Sequence, residues 1–213
     1  MPFATRVSLC RHALAIAALA LLPVAAAASV PAPSNSTLPA CLATTPGGNI
    51  LSTIIVRDLA SNPINNSLVV IDYSLCAGFV PCPQGGSPGD PYIVDLPTGT
   101  LRMFTNASGQ AVFPVRAGGG CSNSGIRVFA DGVLLGSMHA ASADQNGDLA
   151  VGGADVAAVM AKVATPDLSG DLNCDNAVNA ADVAIVTGYA GVNCLHPTNT
   201  ARPTWGSIKT IYR

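Results

Sequence analysis

A sixteen-residue pattern occurs twice in this 213-residue chain, its two starts 27 positions apart. The first copy reads DQNGDLAVGGADVAAV from Asp144 to Val159, and the second reads DLNCDNAVNAADVAIV from Asp171 to Val186. Ten of the sixteen aligned positions are identical, and they include every oxygen-bearing side chain at places 1, 3, 5 and 12. That spacing suits a loop that wraps a hard cation and then enters a helix. Nowhere else in the chain do residue type and spacing together point to one chemistry.

Calcium takes about six to eight oxygen ligands, which short Asp and Asn side chains supply from alternating places of a tight loop. The first loop offers Asp144, Asn146 and Asp148, the backbone carbonyl of Ala150, and Asp155 as the closing carboxylate. The second offers Asp171, Asn173, Asp175, the carbonyl of Ala177, Asn179 and Asp182. Two Ca2+ sites are therefore expected. The same residues could also act as Asx-rich turns that cap two helices without a metal. Place 8 is Val151 and Val178, an apolar residue able to pair the two loops back to back. Each closing Asp suits a helix start, where free N–H groups and the positive end of the helix dipole favour a carboxylate. Val156, Val159, Met160 and Val163 form an apolar stripe behind the first loop, and Val183, Val186 and Ala190 a shorter one behind the second.

All twelve acidic residues are Asp, and seven of them lie between positions 144 and 182. An ordinary EF-hand closes with a bidentate Glu between two helices, whereas here the closing residue is Asp and Pro166 precedes the second loop. On these residues the pair resembles a dockerin module, whose two F-hand repeats read D-x-N-x-D-x-x-x-N-x-x-D. The resemblance covers about residues 141 to 194. It implies a small α module that binds calcium and docks to a cohesin-like domain, as scaffolded enzymes do in polysaccharide breakdown. Four places depart from the family pattern. Place 6, usually Gly, is Leu149 in the first loop and Asn176 in the second, and only Asn tolerates a left-handed turn readily. Place 9 is Asn179 in the second loop but Gly152 in the first. The second site is accordingly expected to be the tighter. Places 10 and 11 are Gly153-Ala154 and Ala180-Ala181, which lack the hydroxyls that cohesin recognition uses.

Arg6 and Arg11 followed by the apolar run Ala13 to Val24 and by Ala25 to Ala28 read as a signal peptide over residues 1–28. The run is too short to span a bilayer. Export gives the six remaining cysteines, Cys41, Cys76, Cys82, Cys121, Cys174 and Cys194, an oxidising setting in which an even number reads as disulfides. Six cysteines allow fifteen pairings, so connectivity is not deducible; Cys174–Cys194, Cys76–Cys82 and Cys41–Cys121 are the favoured set. The exported chain would carry eight basic against twelve acidic residues, with no basic patch for nucleic acid.

Residues 29–48, rich in Pro, Ser, Thr and Ala, read as a linker. From 49 to 140 the signals are β. Strands are expected over 52–58, 67–73, 92–96, 101–105 and 110–115, with a hairpin at 126–135 turning on Asp131-Gly132. Two phrases in this region, IIVRDLASNPINNSLVVIDYS and TNASGQAVFPVRAGGG, resemble bacterial Ig-like repeats, which implies a spacer or adhesive sandwich. The expected fold class is thus an all-β Ig-like sandwich (49–140) followed by a small α dockerin-like calcium-binding module (141–196). The tail at 197–213 contains the only Trp, Trp205, and reads as a docking segment or a strand packed on its own domain.

The chain has no Glu, no nucleophile elbow and no phosphate or dinucleotide loop, so no enzymatic role is expected. The expected function is that of a secreted, non-catalytic calcium-binding protein of extracellular structure or interaction. Its expected partner is a cohesin-like domain or further copies of itself in an extracellular fibre or surface layer, with carbohydrate as another candidate.

Overall fold

The computed structural model describes residues 29–82 and 91–194. The expected signal peptide, the Trp205 tail and part of the loop between Cys76 and Pro91 lie outside these residues.

Alternating burial organises the strands. They are β1 (Leu42–Thr44), β2 (Ser52–Ile55), β3 (Leu68–Asp72), β4 (Val80–Pro81), β5 (Ile93–Asp95), β6 (Thr100–Phe104), β7 (Gln110–Phe113), β8 (Ala117–Gly118), β9 (Cys121–Ala130) and β10 (Val133–Ser142). In β3, Val69 and Ile71 point inward and are at most 1% exposed, while Leu68, Val70 and Asp72 face the other way. The β9–β10 hairpin turns through Asp131 (φ 47°) and Gly132 (φ 81°), which match the right-handed twist of its strands. The Asp131 carboxylate accepts from the Ser67 hydroxyl at 2.8 Å and from the Leu68 N–H at 2.9 Å, so the turn also fixes the start of β3.

Six strands form one sheet in the order β1-β10-β9-β3-β6-β5, curled into a half-barrel. Its pairings are antiparallel except that β1 runs parallel to β10. Two shorter antiparallel pairs, β2-β7 and β4-β8, stand apart. Ile54 and Val56 of the β2 segment and Ala111 and Phe113 of β7 close over Val69, Ile71, Leu101, Ile126 and Val128 to make the main core. Two short helices follow, α1 (Gly153–Lys162) and α2 (Ala180–Gly188), with a 3-10 turn at Leu168–Gly170 between them.

This corrects the expected fold class. An Ig sandwich divides its strands between two antiparallel sheets, but here six strands share one sheet and its first strand runs parallel. Nor do the helices make a separate α module. β10 continues through residue 142, past the expected boundary at 140, and the second core begins on its far end with Ala141 and Ala143. That core adds Val151, Val159, Leu172, Val178 and Val186, with Val156, Val183, Ile185, Tyr189 and Val192 packed partly buried against it, so the two short helices gain their stability from a core shared with the end of β10. The stretch read as a linker is built in: Ala32, Cys41, Leu42 and Ala43 are buried, and β1 pairs Leu42 with Ala140.

The disulfides differ from the favoured set as well. They are Cys41–Cys174, Cys76–Cys121 and Cys82–Cys194, with Cα separations of 5.4, 5.6 and 5.9 Å. Closeness in sequence favoured local bridges, whereas the sheet carries distant cysteines together. Two of the three bridges tie the loop and helix region to the sheet region.

Candidate metal centre

β10 delivers the chain directly into the first loop. The Ser142 hydroxyl donates to the Ala117 carbonyl at 2.9 Å and accepts the Asp144 N–H at 3.1 Å. The Asp144 carbonyl accepts the Gly119 N–H at 2.6 Å. The Asp144 carboxylate rests on Gly118, where any Cβ would run into it.

Inside this loop the oxygens are bound in a fixed order. Asp144 accepts the N–H of Gly147 on Oδ1 (2.8 Å) and that of Leu149 on Oδ2 (2.7 Å). Asn146 Oδ1 accepts from Asp148 N–H at 2.9 Å, and Asp148 Oδ1 from Ala150 N–H at 3.0 Å. Asp155 closes the turn, taking Gln145 N–H (2.8 Å) and Asn146 N–H (3.2 Å) on Oδ1 and Gly152 N–H (2.7 Å) on Oδ2.

The second loop repeats this wiring. Asp171 accepts from Asp175 N–H (3.1 Å) and Asn176 N–H (2.8 Å), Asn173 from Asp175 N–H (3.1 Å), and Asp175 from Ala177 N–H (2.9 Å). Asp182 takes Leu172 N–H (2.8 Å), Asn173 N–H (3.2 Å) and Asn179 N–H (2.9 Å). Places 4 and 6 are left-handed in both loops: Gly147 at φ 73° and Leu149 at 69°, Cys174 at 60° and Asn176 at 67°. Asn179 caps α2 through Ala181 N–H at 2.8 Å and also reaches Asp175 at 3.2 Å. Gly152, at the same place in the first loop, has no side chain for either contact.

Place 8 is used differently from the expectation. Val151 and Val178 do not pair with each other. Val151 N–H donates to Val192 O at 2.7 Å and its carbonyl accepts Gly191 N–H at 2.8 Å, while Val178 O accepts Ala164 N–H at 3.1 Å. Each loop is thus stitched to the segment after the other loop's helix, and Ala150 faces Asn193 in a β-bridge. The predicted stripes are narrower than expected too. Val159 and Val186 are fully buried, but Met160 is 60% exposed and Val163 39%.

Asp144, Asp155, Asp171 and Asp182 are at most 1% exposed. The ion pairs among the described residues are Arg102–Asp95, Arg127–Asp72 and Lys162–Asp167, with His139 beside Asp171. No Lys or Arg among the described residues reaches the other loop carboxylates. Burial pushes the Asp144 carboxyl above its ordinary range against the pull of the Leu149 and Gly147 N–H groups, and the charges of Asp155 and Asp148 add to the push. Asp175, at the exposed end of the second loop, is held below its ordinary range, first by the Asn173 amide. The donor set is all hard oxygen and lacks an internal cation, which fits calcium. Among the described residues no three His, Cys, Asp or Glu side chains are gathered as a metal cluster. Each loop instead mixes carboxylates with an amide and a backbone carbonyl, and the place-5 carboxylate is held by the place-3 amide, Asn146 to Asp148 at 3.0 Å and Asn173 to Asp175 at 2.8 Å.

No protein-family model matches this chain, and neither a curated protein nor a solved structure is significantly similar to it.

Three features of the site are not legible in the repeat. Lys162 of α1 donates to Gln145 Oε1 (2.5 Å) and Ser169 Oγ (2.7 Å), and Gln145 Nε2 reaches Ser169 O (2.9 Å), joining the first loop to the approach of the second. Gly118 makes room for Asp144 from the sheet. His139 of β10 stands behind Asp171. A helix-facing Lys could be suspected from its place in the last turn of α1, but nothing local to Gly118 or His139 signals a role.

Three disulfides fit an oxidising, extracellular setting. Among the described residues no helix is long and apolar enough to cross a membrane.

Proposed function

We propose that this is a secreted, non-catalytic protein whose paired loops, of the dockerin kind, each take a calcium ion and thereby lock two short helices onto the end of a β-sheet. The observation that carries the reading is the near-identical wiring of two loops around four buried carboxylates, three of them without a basic partner among the described residues. Asp144, Asn146, Asp148, Asp155 and the Ala150 carbonyl would hold one ion. Asp171, Asn173, Asp175, Asp182, the Ala177 carbonyl and Asn179 would hold the other. Calcium supplies the positive charge that these carboxylates lack, and binding to the folded state alone stabilises it by mass action. The second loop is the tighter, because Asn176 accepts the left-handed turn and Asn179 braces Asp175. The role is structural or adhesive in the extracellular space. Docking to a cohesin-like domain finds no support in the exposed Gly153, Ala154, Ala180 and Ala181, which offer no hydroxyl.

The test is a calorimetric titration of calcium into the secreted chain, paired with thermal melts in calcium and in chelator. Two binding events and a higher melting temperature in calcium are expected. Absence of both heat and shift sinks the proposal.

A further inference from the structure

We infer that His139, on strand β10, is a positioning residue for the second loop, holding Asp171 through its Nε2 and making the two cation sites unequal from the sheet side. The inference rests on the calcium reading of the loops. The His139 side chain is 7% exposed and its Nε2 lies 3.3 Å from Asp171 Oδ2, itself fully buried. This Nε2 has no aligned hydrogen bond to any described atom, although nearly all buried side-chain nitrogens find one. A bare Nε2 there would set its lone pair against a carboxylate oxygen, so the proton belongs on Nε2 and points at Asp171.

Asp171 Oδ2 already accepts the Asn176 N–H and Oδ1 the Asp175 N–H. The Cys41 sulfur, next to β1, lies 3.5 Å from the Asp171 backbone carbonyl. The Asp171 carboxylate is therefore held by its own loop, with the His139 imidazole of the sheet 3.3 Å away. On this inference, cation binding turns the Asp171 carboxylate so that Oδ2 meets Nε2–H. Partners of this kind orient a ligand and raise its basicity. The equivalent ligand of the first loop, Asp144, has the bare backbone of Gly118 in that place. The repeat is symmetric in its ligands and asymmetric in what the sheet puts behind them.

The experiment compares the wild-type secreted chain with His139→Leu and His139→Gln, the latter returning an N–H donor at similar reach. Calcium titrations resolve both constants. In His139→Leu the tighter constant weakens about ten- to hundred-fold while the weaker one stays put, and His139→Gln recovers most of the loss. A nitrogen-proton spectrum of the wild type provides a readout that needs no variant: a proton on His139 Nε2, shifted by added calcium. Unchanged constants in His139→Leu, an equal loss in His139→Gln, or a bare Nε2 overturns the inference. A wild type that takes up no calcium overturns the calcium reading, and this one with it.

Discussion

At the scale of single residues, Leu149 is a strained loop position. Its φ of 69° places a γ-branched side chain in the left-handed region, which costs about 1–2 kcal/mol for an ordinary L-residue. Leu149→Asn, copying Asn176, is expected to relieve about 1 kcal/mol of this and to tighten the weaker calcium constant by about five-fold. An unchanged constant in the titration would show that the loop releases the strain elsewhere. Asp144 gives a pH signature. Its folded carboxyl lies above the ordinary value, so its contribution to stability is present below the unfolded value and is lost as pH rises through the folded one. In chelator, lowering the pH through that window is expected to narrow the stability gap by which Asp144→Asn exceeds the wild type. Denaturant midpoints against pH read this directly, and a gap independent of pH refutes it. Leu149, Asn179 and Gly152 could all be ranked from the aligned repeats, because place-by-place comparison exposes a misfit without any coordinates. His139 could not, because its partner lies 32 positions away and only the fold joins them.

At the scale of elements, α1 and α2 have 10 and 9 residues and would be marginal as isolated helices. Packing holds them. Val159 and Val186 are both 0% exposed in the second core, which they share with Ala141 of β10 and Ala143 just beyond it. Val159→Ala is expected to cost about 2 kcal/mol by chemical denaturation, whereas Met160→Ser, on the exposed side, should stay within about 0.5 kcal/mol. Equal losses would mean that α1 packs differently in solution. Periodicity marked a four-residue stripe behind the first loop, yet only Val159 of it is fully buried. Val156 packs half-buried beside it, and α1 shares this small core with α2 and the end of β10, so a narrow stripe suffices. Among the strands, β-branched runs between turn signals located β2, β3, β5, β6 and β7 to within a few residues, and Asp131-Gly132 located the hairpin's turn but not the far ends of its ten-residue strands. Missing from that reading are β1, in the stretch taken as a linker, and the two-residue strands β4 and β8, which have no room for a pattern.

At the scale of the whole molecule, two long-range disulfides and strand β10 bind the loop-helix region to the sheet. One cooperative calorimetric transition is therefore expected rather than the two of a sandwich with a detachable module. Removing the Cys41–Cys174 bridge by paired Ser substitution should lower stability by about 2–5 kcal/mol, given the 133 residues it encloses. It should also split the transition in two, the calcium-dependent part melting first. A single unshifted transition in that variant would show that the bridge adds nothing to the β10 connection. The division between what the chain announces and what folding decides follows from range. The sequence by itself determined the oxygen pattern at places 1, 3, 5 and 12, the places where the two loops differ and most of the strands, because these depend on neighbours within about a dozen residues. Only the tertiary structure decided that β1 runs parallel to β10, that the cysteines bridge across the chain, and that Gly118 and His139 stand behind the two first carboxylates. Those choices turn on which distant strands share a core, and local spacing carries no record of that.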